Sequence, residues 1–179
     1  EKPWTDTPLS ERIDILREID QILPVSEKII DWSASLMNVR VKTLYLTNQG
    51  GEVRQQFEML APDMMAIANE GTVTQKRSLG ARGISKQGGM ELLERSNFKQ
   101  SANQISQQAL QLLSAPDCPS GKMDVILTAD QMMLQIHESI GHPLELDRIL
   151  GDERNYAGTS FVTMDMFGRY QYGSSLLNV

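Results

Sequence analysis

The two histidines of the chain lie in one short segment, and a glutamate directly follows the first of them. The segment reads His-Glu-Ser-Ile-Gly-His and runs from His137 to His142. Two imidazoles can hold a divalent metal such as Zn²⁺, and the carboxylate of Glu138 can take a proton from the water that the metal activates. These residue types at this spacing therefore indicate metal-dependent hydrolysis.

The five-residue interval does not suit an ordinary α-helix. At about 100° per residue, His137 and His142 would point roughly 140° apart. Gly141 and Pro143 flank the second histidine, and both residue types favour a bulged or ending helix that turns His142 back toward His137. On spacing alone, a pair of buried histidines held by hydrogen bonds is an alternative interpretation. The neighbouring Glu138 favours the metal interpretation.

A catalytic zinc site takes three protein ligands, and this chain has no third histidine. The third ligand would be an acid of this chain, Cys118, or a residue outside it. Cys118 lies between two prolines with no histidine nearby in sequence, which is typical of a cysteine without a metal. Glu145 and Asp147 are the carboxylates best placed in sequence to orient a metal-bound imidazole. The alternative for this charged stretch is a solvated surface.

Composition and charge exclude several classes of protein. The 179 residues are 40% hydrophobic and 22% charged, which is ordinary for one globular domain with a core. The formal charge of −6 argues against a nucleic-acid partner. The single cysteine excludes an internal disulfide. Without a long apolar run or a signal-peptide pattern, we expect a cytoplasmic protein that makes no use of a membrane.

The hydrophobic periodicity predicts an α+β fold, an antiparallel β-sheet meander flanked by helices. Helices are predicted over residues 8–23, with Thr7 as the cap, and over 25–36 and 98–114. Strands are predicted over 39–46, 52–60, 64–68 and 72–77, with turns at 48–51, 61–63 and 69–71.

The metal-motif helix is predicted to follow a short strand over 123–128 and to start at Gln131 with Asp130 as its cap. A further strand is predicted over 160–166. The glycine-rich stretch 80–89 lacks the spacing of a phosphate-binding loop, so it is interpreted as a mobile loop.

Three segments resemble the TldD/PmbA family, also called the modulator of DNA gyrase family: Val39 to Gly51, Ala115 to Leu127, and His137 to Asp147. The His-Glu-x-x-Gly-His element is the specific part of this likeness. It is similar to the motif of TldD-type subunits, which PmbA/TldE-type partner subunits lack. Pro143 stands where glycine is usual in the family, a departure that affects the end of the helix rather than the ligands.

The resemblance implies a zinc metallopeptidase in which His137 and His142 bind the metal and Glu138 is the catalytic base. It implies peptide or unfolded-protein substrates and a homodimer or a heterodimer with a PmbA/TldE-type subunit. Residues 1–179 would form a single α/β amino-terminal domain of a longer, two-domain protein. A β-rich carboxy-terminal domain outside this chain would supply a cysteine as third ligand, and Cys118 does not stand at that family position.

Two hypotheses follow from these observations. The first is a fragment of a TldD-type zinc peptidase, inactive in isolation because its third ligand lies elsewhere. The alternative is a non-catalytic peptide-binding or subunit-assembly module with a dormant or incomplete metal site. The negative charge gives no support to a direct role on DNA.

Overall fold

The computed structural model of the protein describes residues 2–79 and 84–178. The chain divides into two compact units, Glu1–Pro119 (unit 1) and Ser120–Val179 (unit 2). Unit 1 combines helices with an antiparallel sheet, and unit 2 consists of short helices and irregular chain. The predicted α+β class is confirmed.

Unit 1 places its helices before and after its sheet. In chain order its helical elements are a 3₁₀ turn at Trp4–Asp6, α1 at Leu9–Ile22, α2 at Glu91–Arg95 and α3 at Phe98–Leu112. Its strands are β1 at Ile29–Leu46, β2 at Glu52–Glu70, β3 at Val73–Ser78 and the two-residue β4 at Lys86–Gln87. The order β1-β2-β3, with β4 also paired to β2, is the predicted antiparallel meander.

The core of unit 1 lies between one face of the sheet and helices α1 and α3. Alternate residues of β2 point into it, as the period of two in a strand requires. The buried side chains of unit 1 include Leu60, Pro62, Met64, Ala66, Ala68, Ile19, Leu23, Phe98, Ala102, Ile105 and Ala109. The predicted helices 8–23 and 98–114 are therefore confirmed in kind and place.

Two predicted features of the sheet are wrong. The helix predicted over 25–36 is the start of β1, whose residues from Trp32 to Leu36 alternate between half-buried and exposed. The turn predicted at 61–63 is continuous strand, with Pro62 paired to Leu36 of β1. On the other side of β2, β3 pairs with residues 65–70 and β4 with 59–60, so the proline falls between these two pairings. A proline without an N–H donor fits such a position.

The ends of the helices also differ from the prediction. Thr7 is not the cap of α1, because Pro8 holds an extended conformation there, with φ −58° and ψ 150°, and the helix begins at Leu9. Thr128 rather than Asp130 occupies the cap position of the metal-motif helix. Such one- to two-residue shifts are ordinary at helix termini.

Unit 2 carries the metal motif in a run of short helical segments. They are α4 at Ala129–Ile136, a π-helical turn at His137–Gly141, 3₁₀ turns at His142–Leu144 and Met164–Met166, and α5 at Leu146–Leu150. The strands predicted over 123–128 and 160–166 are wrong, since neither range pairs with a strand in the described residues. The side chain of Ile126 is 96% exposed, so this apolar stretch precedes the motif helix as irregular chain.

The glycine-rich stretch falls partly outside the described residues, which exclude 80–83. Within the rest, Gly89 lies so close to the backbone of Lys2 that an added Cβ would stand 2.1 Å from the carbonyl oxygen of Lys2. Only glycine fits there. Among the residues that the structure describes, no helix combines the length and apolar character needed to span a bilayer.

Candidate metal centre

The metal motif forms a π-helical turn, His137–Gly141, that continues α4 (hereafter the π-turn). The N–H of His142 donates to the carbonyl of His137, five residues back, whereas an α-helix would pair residues four apart. A five-residue hydrogen bond sets His142 one turn above His137. The five-residue interval between the histidines does not suit an α-helix, but it equals the hydrogen-bond spacing of a π-helix.

Pro143 gives a physical reason for this turn. Proline has no N–H, and its ring clashes with the carbonyl four residues earlier in an α-helix, which is that of Ser139. The α-helical bond from residue 143 to Ser139 is lost, and the backbone widens instead.

The backbone at Gly141 does not require glycine, although the sequence predicts that this residue helps to bend the helix. It has right-handed helical angles, φ −55° and ψ −67°. A Cβ at this position would meet only the carbonyl oxygen of Ile136, at 4.0 Å. The helix bulges at the place that the sequence predicts, but neither a positive φ nor crowding requires glycine at 141.

The π-turn brings together His137, Glu138 and His142. The imidazole centroids are 4.3 Å apart with their planes at 71°, and Nε2 of His137 lies 4.0 Å from Oε1 of Glu138. One donor atom from each of the three residues lies within 4.8 Å of the others. Two nitrogens on one zinc ion are at most roughly 4 Å apart, twice a zinc–nitrogen bond of about 2.0–2.1 Å. A small side-chain rotation therefore suffices for nitrogens of His137 and His142 to fit one metal ion, with the carboxylate of Glu138 beside them.

The site is open to solvent on one side. The side chains of His137 and Glu138 are 56% and 68% exposed, whereas that of His142 is 28% exposed. A catalytic metal centre needs such an open side, because water and substrate approach through it.

Glu145 orients the second histidine. Its Oε1 lies 3.0 Å from Nδ1 of His142, and its Oε2 lies 2.8 Å from Nε of Arg148. The hydrogen bond with His142, together with the charge of Arg148, lowers the pKa of Glu145 below its ordinary value. An ionised carboxylate only accepts hydrogen bonds, so Nδ1 of His142 carries the hydrogen. The lone pair of Nε2 is then free for a metal.

Asp147 and Cys118, the other predicted orienting group and ligand, make contacts with their own neighbours in sequence. Oδ1 of Asp147 accepts the N–H of Arg148 at 2.9 Å, and among the described residues it contacts neither histidine. Cys118 is exposed, belongs to unit 1, and places its Sγ 3.8 Å from the carbonyl of Pro119. Of the two predicted acids, only Glu145 therefore lies on an imidazole.

Sequence reasoning missed three residues around the π-turn. The Tyr172 hydroxyl donates to the carbonyl of Ser139, and the Ser160 hydroxyl donates to the carbonyl of Pro143 at 2.6 Å. Arg148 stands three residues after Glu145, a helical ion-pair spacing that the sequence does show. No local pattern marks Tyr172, which is 33 residues from its partner.

Comparison with known proteins supports a metalloprotease relationship. Residues 2–113 match the family model described as the PmbA/TldA metallopeptidase central domain. The chain is 24% identical to a metalloprotease of Methanothermobacter thermautotrophicus, over 96% of this chain and 40% of that protein. It is 26% identical to a metalloprotease of Methanocaldococcus jannaschii, over 94% and 39%. It is 27% identical to a metalloprotease of Archaeoglobus fulgidus, over 81% and 32%.

The chain covers less than half of each of these relatives. It spans about two fifths of the length of the first two relatives, and about a third of the third. An alignment over 96% of the chain necessarily includes residues 137–142, whereas the family model ends before them.

Proposed function

Since the chain belongs to the PmbA/TldD metallopeptidase family, we propose that it carries the metal-binding part of a zinc-dependent peptidase that hydrolyses peptides or unfolded polypeptide. The main support is the π-turn, which brings donor atoms of His137, Glu138 and His142 within 4.8 Å of one another. The three archaeal relatives are named metalloproteases, which supports the same reaction class.

In this proposal His137 and His142 hold the metal. Imidazole nitrogen suits zinc, although it also suits copper and nickel, so the choice of zinc rests on the family resemblance. When bound, Zn²⁺ supplies a Lewis acid that polarises the substrate carbonyl and lowers the pKa of water. Glu145 holds the ring of His142 with Nε2 directed away from the Glu145 carboxylate.

Glu138 is the proposed general base. Its carboxylate is exposed and adjoins the histidine pair, so it reaches both solvent and the reacting centre. It takes a proton from the attacking water and returns it to the leaving amine. Glu145 is unsuited to this task, because His142 and Arg148 hold both of its oxygens.

The third metal ligand is proposed to lie outside this chain, in the β-rich carboxy-terminal domain that the resemblance implies. Two histidines alone hold zinc weakly, so the isolated 179-residue chain is expected to be inactive. The assignment of residues 1–179 to an amino-terminal domain stays a prediction.

Partners and location belong to the same proposal. A homodimer, or a heterodimer with a PmbA/TldE-type subunit, rests on the family resemblance alone. The net charge of −6 supports peptide rather than nucleic-acid substrates. A cytoplasmic location stays a prediction.

The alternative, a non-catalytic peptide-binding or assembly module, is favoured by one observation on unit 1. The sheet face opposite the core carries an apolar band along β1 and β2 that includes Met37, Phe57 and Met59, which are 57%, 36% and 38% exposed. Exposed apolar bands mark interaction surfaces.

The proposal is tested by measuring zinc content and peptide cleavage on the intact protein and its variants. We expect Glu138→Gln to keep zinc and to lower kcat by about 10²- to 10⁴-fold, the usual contribution of a general base. We expect His137→Ala to lose both zinc and activity. Asp152→Asn is a matched control, because it removes an exposed carboxylate of unit 2 away from the donor set.

Cleavage that survives Glu138→Gln would show that another group activates the water. An intact protein that holds zinc through His137 but cleaves no peptide would favour the binding module.

A further inference from the structure

The π-turn creates a backbone acceptor that has lost its usual donor. The carbonyl of Ser139 would pair with the N–H of residue 143 in an α-helix, but residue 143 is proline. The π-turn keeps its own hydrogen bond from the N–H of His142 to the carbonyl of His137, but Pro143 offers no N–H to the carbonyl of Ser139. Water, or a donor from elsewhere in the chain, can replace the missing N–H.

Tyr172 supplies that donor. Its hydroxyl donates to the carbonyl of Ser139, next to Glu138 in sequence. Its ring faces that of Phe161, with centroids 6.0 Å apart, and lines an apolar cavity together with Ile140 and Leu144 of the motif segment. The ring thus lies beside Phe161 at this cavity while the hydroxyl reaches the backbone.

A second hydroxyl acts on the next turn. Oγ of Ser160 donates to the carbonyl of Pro143 at 2.6 Å and accepts the N–H of Val162, which is buried. The segment after α5 therefore holds the backbone of the motif at two carbonyls, one on each side of His142.

We infer that Tyr172 is a positioning residue: its hydroxyl replaces the N–H that Pro143 lacks and so keeps the π-turn in the form that brings His137 and His142 together. The importance of Tyr172 for catalysis rests on the proposed function. The hydrogen bond from the Tyr172 hydroxyl to the Ser139 carbonyl involves only residues of this chain, so this role does not depend on a metal.

The test compares Tyr172→Phe with Tyr170→Phe in the intact protein. Tyr170 lines the same cavity, and no hydrogen bond of its hydroxyl occurs among the described residues, so its substitution controls for loss of a phenol. Zinc affinity is measured by competition with a chromophoric chelator. Hydrogen exchange of the His142 amide is measured without metal.

We expect Tyr172→Phe to weaken zinc binding and to speed exchange of the His142 amide, each by about 2- to 10-fold, the range for one net hydrogen bond. Tyr170→Phe should change neither. Pro143→Ala restores a backbone N–H at residue 143, and in that background Tyr172→Phe should have less than half of its effect on a logarithmic scale.

Equal behaviour of Tyr172→Phe and Tyr170→Phe in both measurements would overturn the inference. So would an undiminished effect of Tyr172→Phe in the Pro143→Ala background, because the hydroxyl would then not be replacing the missing N–H. If His137→Ala leaves zinc affinity unchanged, the proposed function fails. Exchange of the His142 amide then decides the role of Tyr172 by itself.

Discussion

The two units of the chain keep their shape by different means. Within the described ranges, every buried hydrophobic side chain except Val162 lies in unit 1, where helices cover one face of a sheet. Unit 2 exposes large apolar side chains instead, with Ile126 at 96% and Tyr156 at 93%. Its motif is held by directed hydrogen bonds on consecutive turns.

This difference matters because apolar burial and metal binding need different kinds of contact. Burial of apolar surface is non-directional and tolerates small shifts, so it suits a scaffold. A donor set tolerates little displacement, so it depends on groups that fix individual atoms. Glu145 fixes one ring nitrogen of His142, and Tyr172 fixes one carbonyl of the π-turn.

The largest expected effect is a difference between the two units in how much one substitution lowers the free energy of unfolding. Phe98 is 1% exposed in the core of unit 1, and Phe98→Ala should lower the free energy of unfolding by about 3–5 kcal/mol, through lost burial and the cavity left behind. Ile126→Ala in unit 2 should change it by less than about 0.5 kcal/mol, because this side chain is exposed. Urea unfolding of the intact protein measures both. A cost at Ile126 comparable to that at Phe98 would show that unit 2 has a core of its own.

The second effect tests the directed contacts of unit 2. Glu145→Ala should weaken zinc binding about 10- to 100-fold, the usual cost of removing a group that orients a metal ligand. Asp147→Ala should weaken it less than about 2-fold, because Asp147 contacts the backbone of Arg148 rather than a histidine. Chelator competition gives both affinities. A larger loss at Asp147 would reverse the order of the two acids.

The smallest effect concerns pH and the amino-terminal segment of unit 1. Glu91 accepts the N–H groups of Lys2 and Gly89, which lower its pKa to about 2. Because the folded pKa lies below the unfolded one, near 4.5, this contribution to stability is complete above the unfolded pKa and is lost as pH falls toward 2. The fall in urea midpoint between pH 6 and pH 2.5 should therefore be larger in the wild type than in Glu91→Gln. Equal falls would show that Glu91 is not held in this way.

Much of unit 1 could be predicted because its helices and hairpin carry local periodic patterns. Residues 8–23 and 98–114 repeat apolar side chains at helical spacing, and 39–60 alternates around a glycine turn. The helix predicted over 25–36 is wrong because the same apolar residues fit either a helix or a strand. The pairing of this stretch with residues 62–68 of β2 decides for the strand. Pairing depends on residues distant in sequence, which a local pattern does not contain.

By itself the sequence determined that three potential donors, His137, Glu138 and His142, stand within six residues, and that Pro143 excludes an α-helical hydrogen bond directly after them. These are local properties: the residue types set which atoms can bind a metal, and a missing N–H has the same consequence in any fold. The tertiary structure decided that Glu145 rather than Asp147 orients His142, and that Tyr172 pairs with Ser139. Both contacts depend on how turns place atoms in space. The π-turn depends on both, because Pro143 excludes the α-helical hydrogen bond and the fold supplies the contacts of Glu145 and Tyr172.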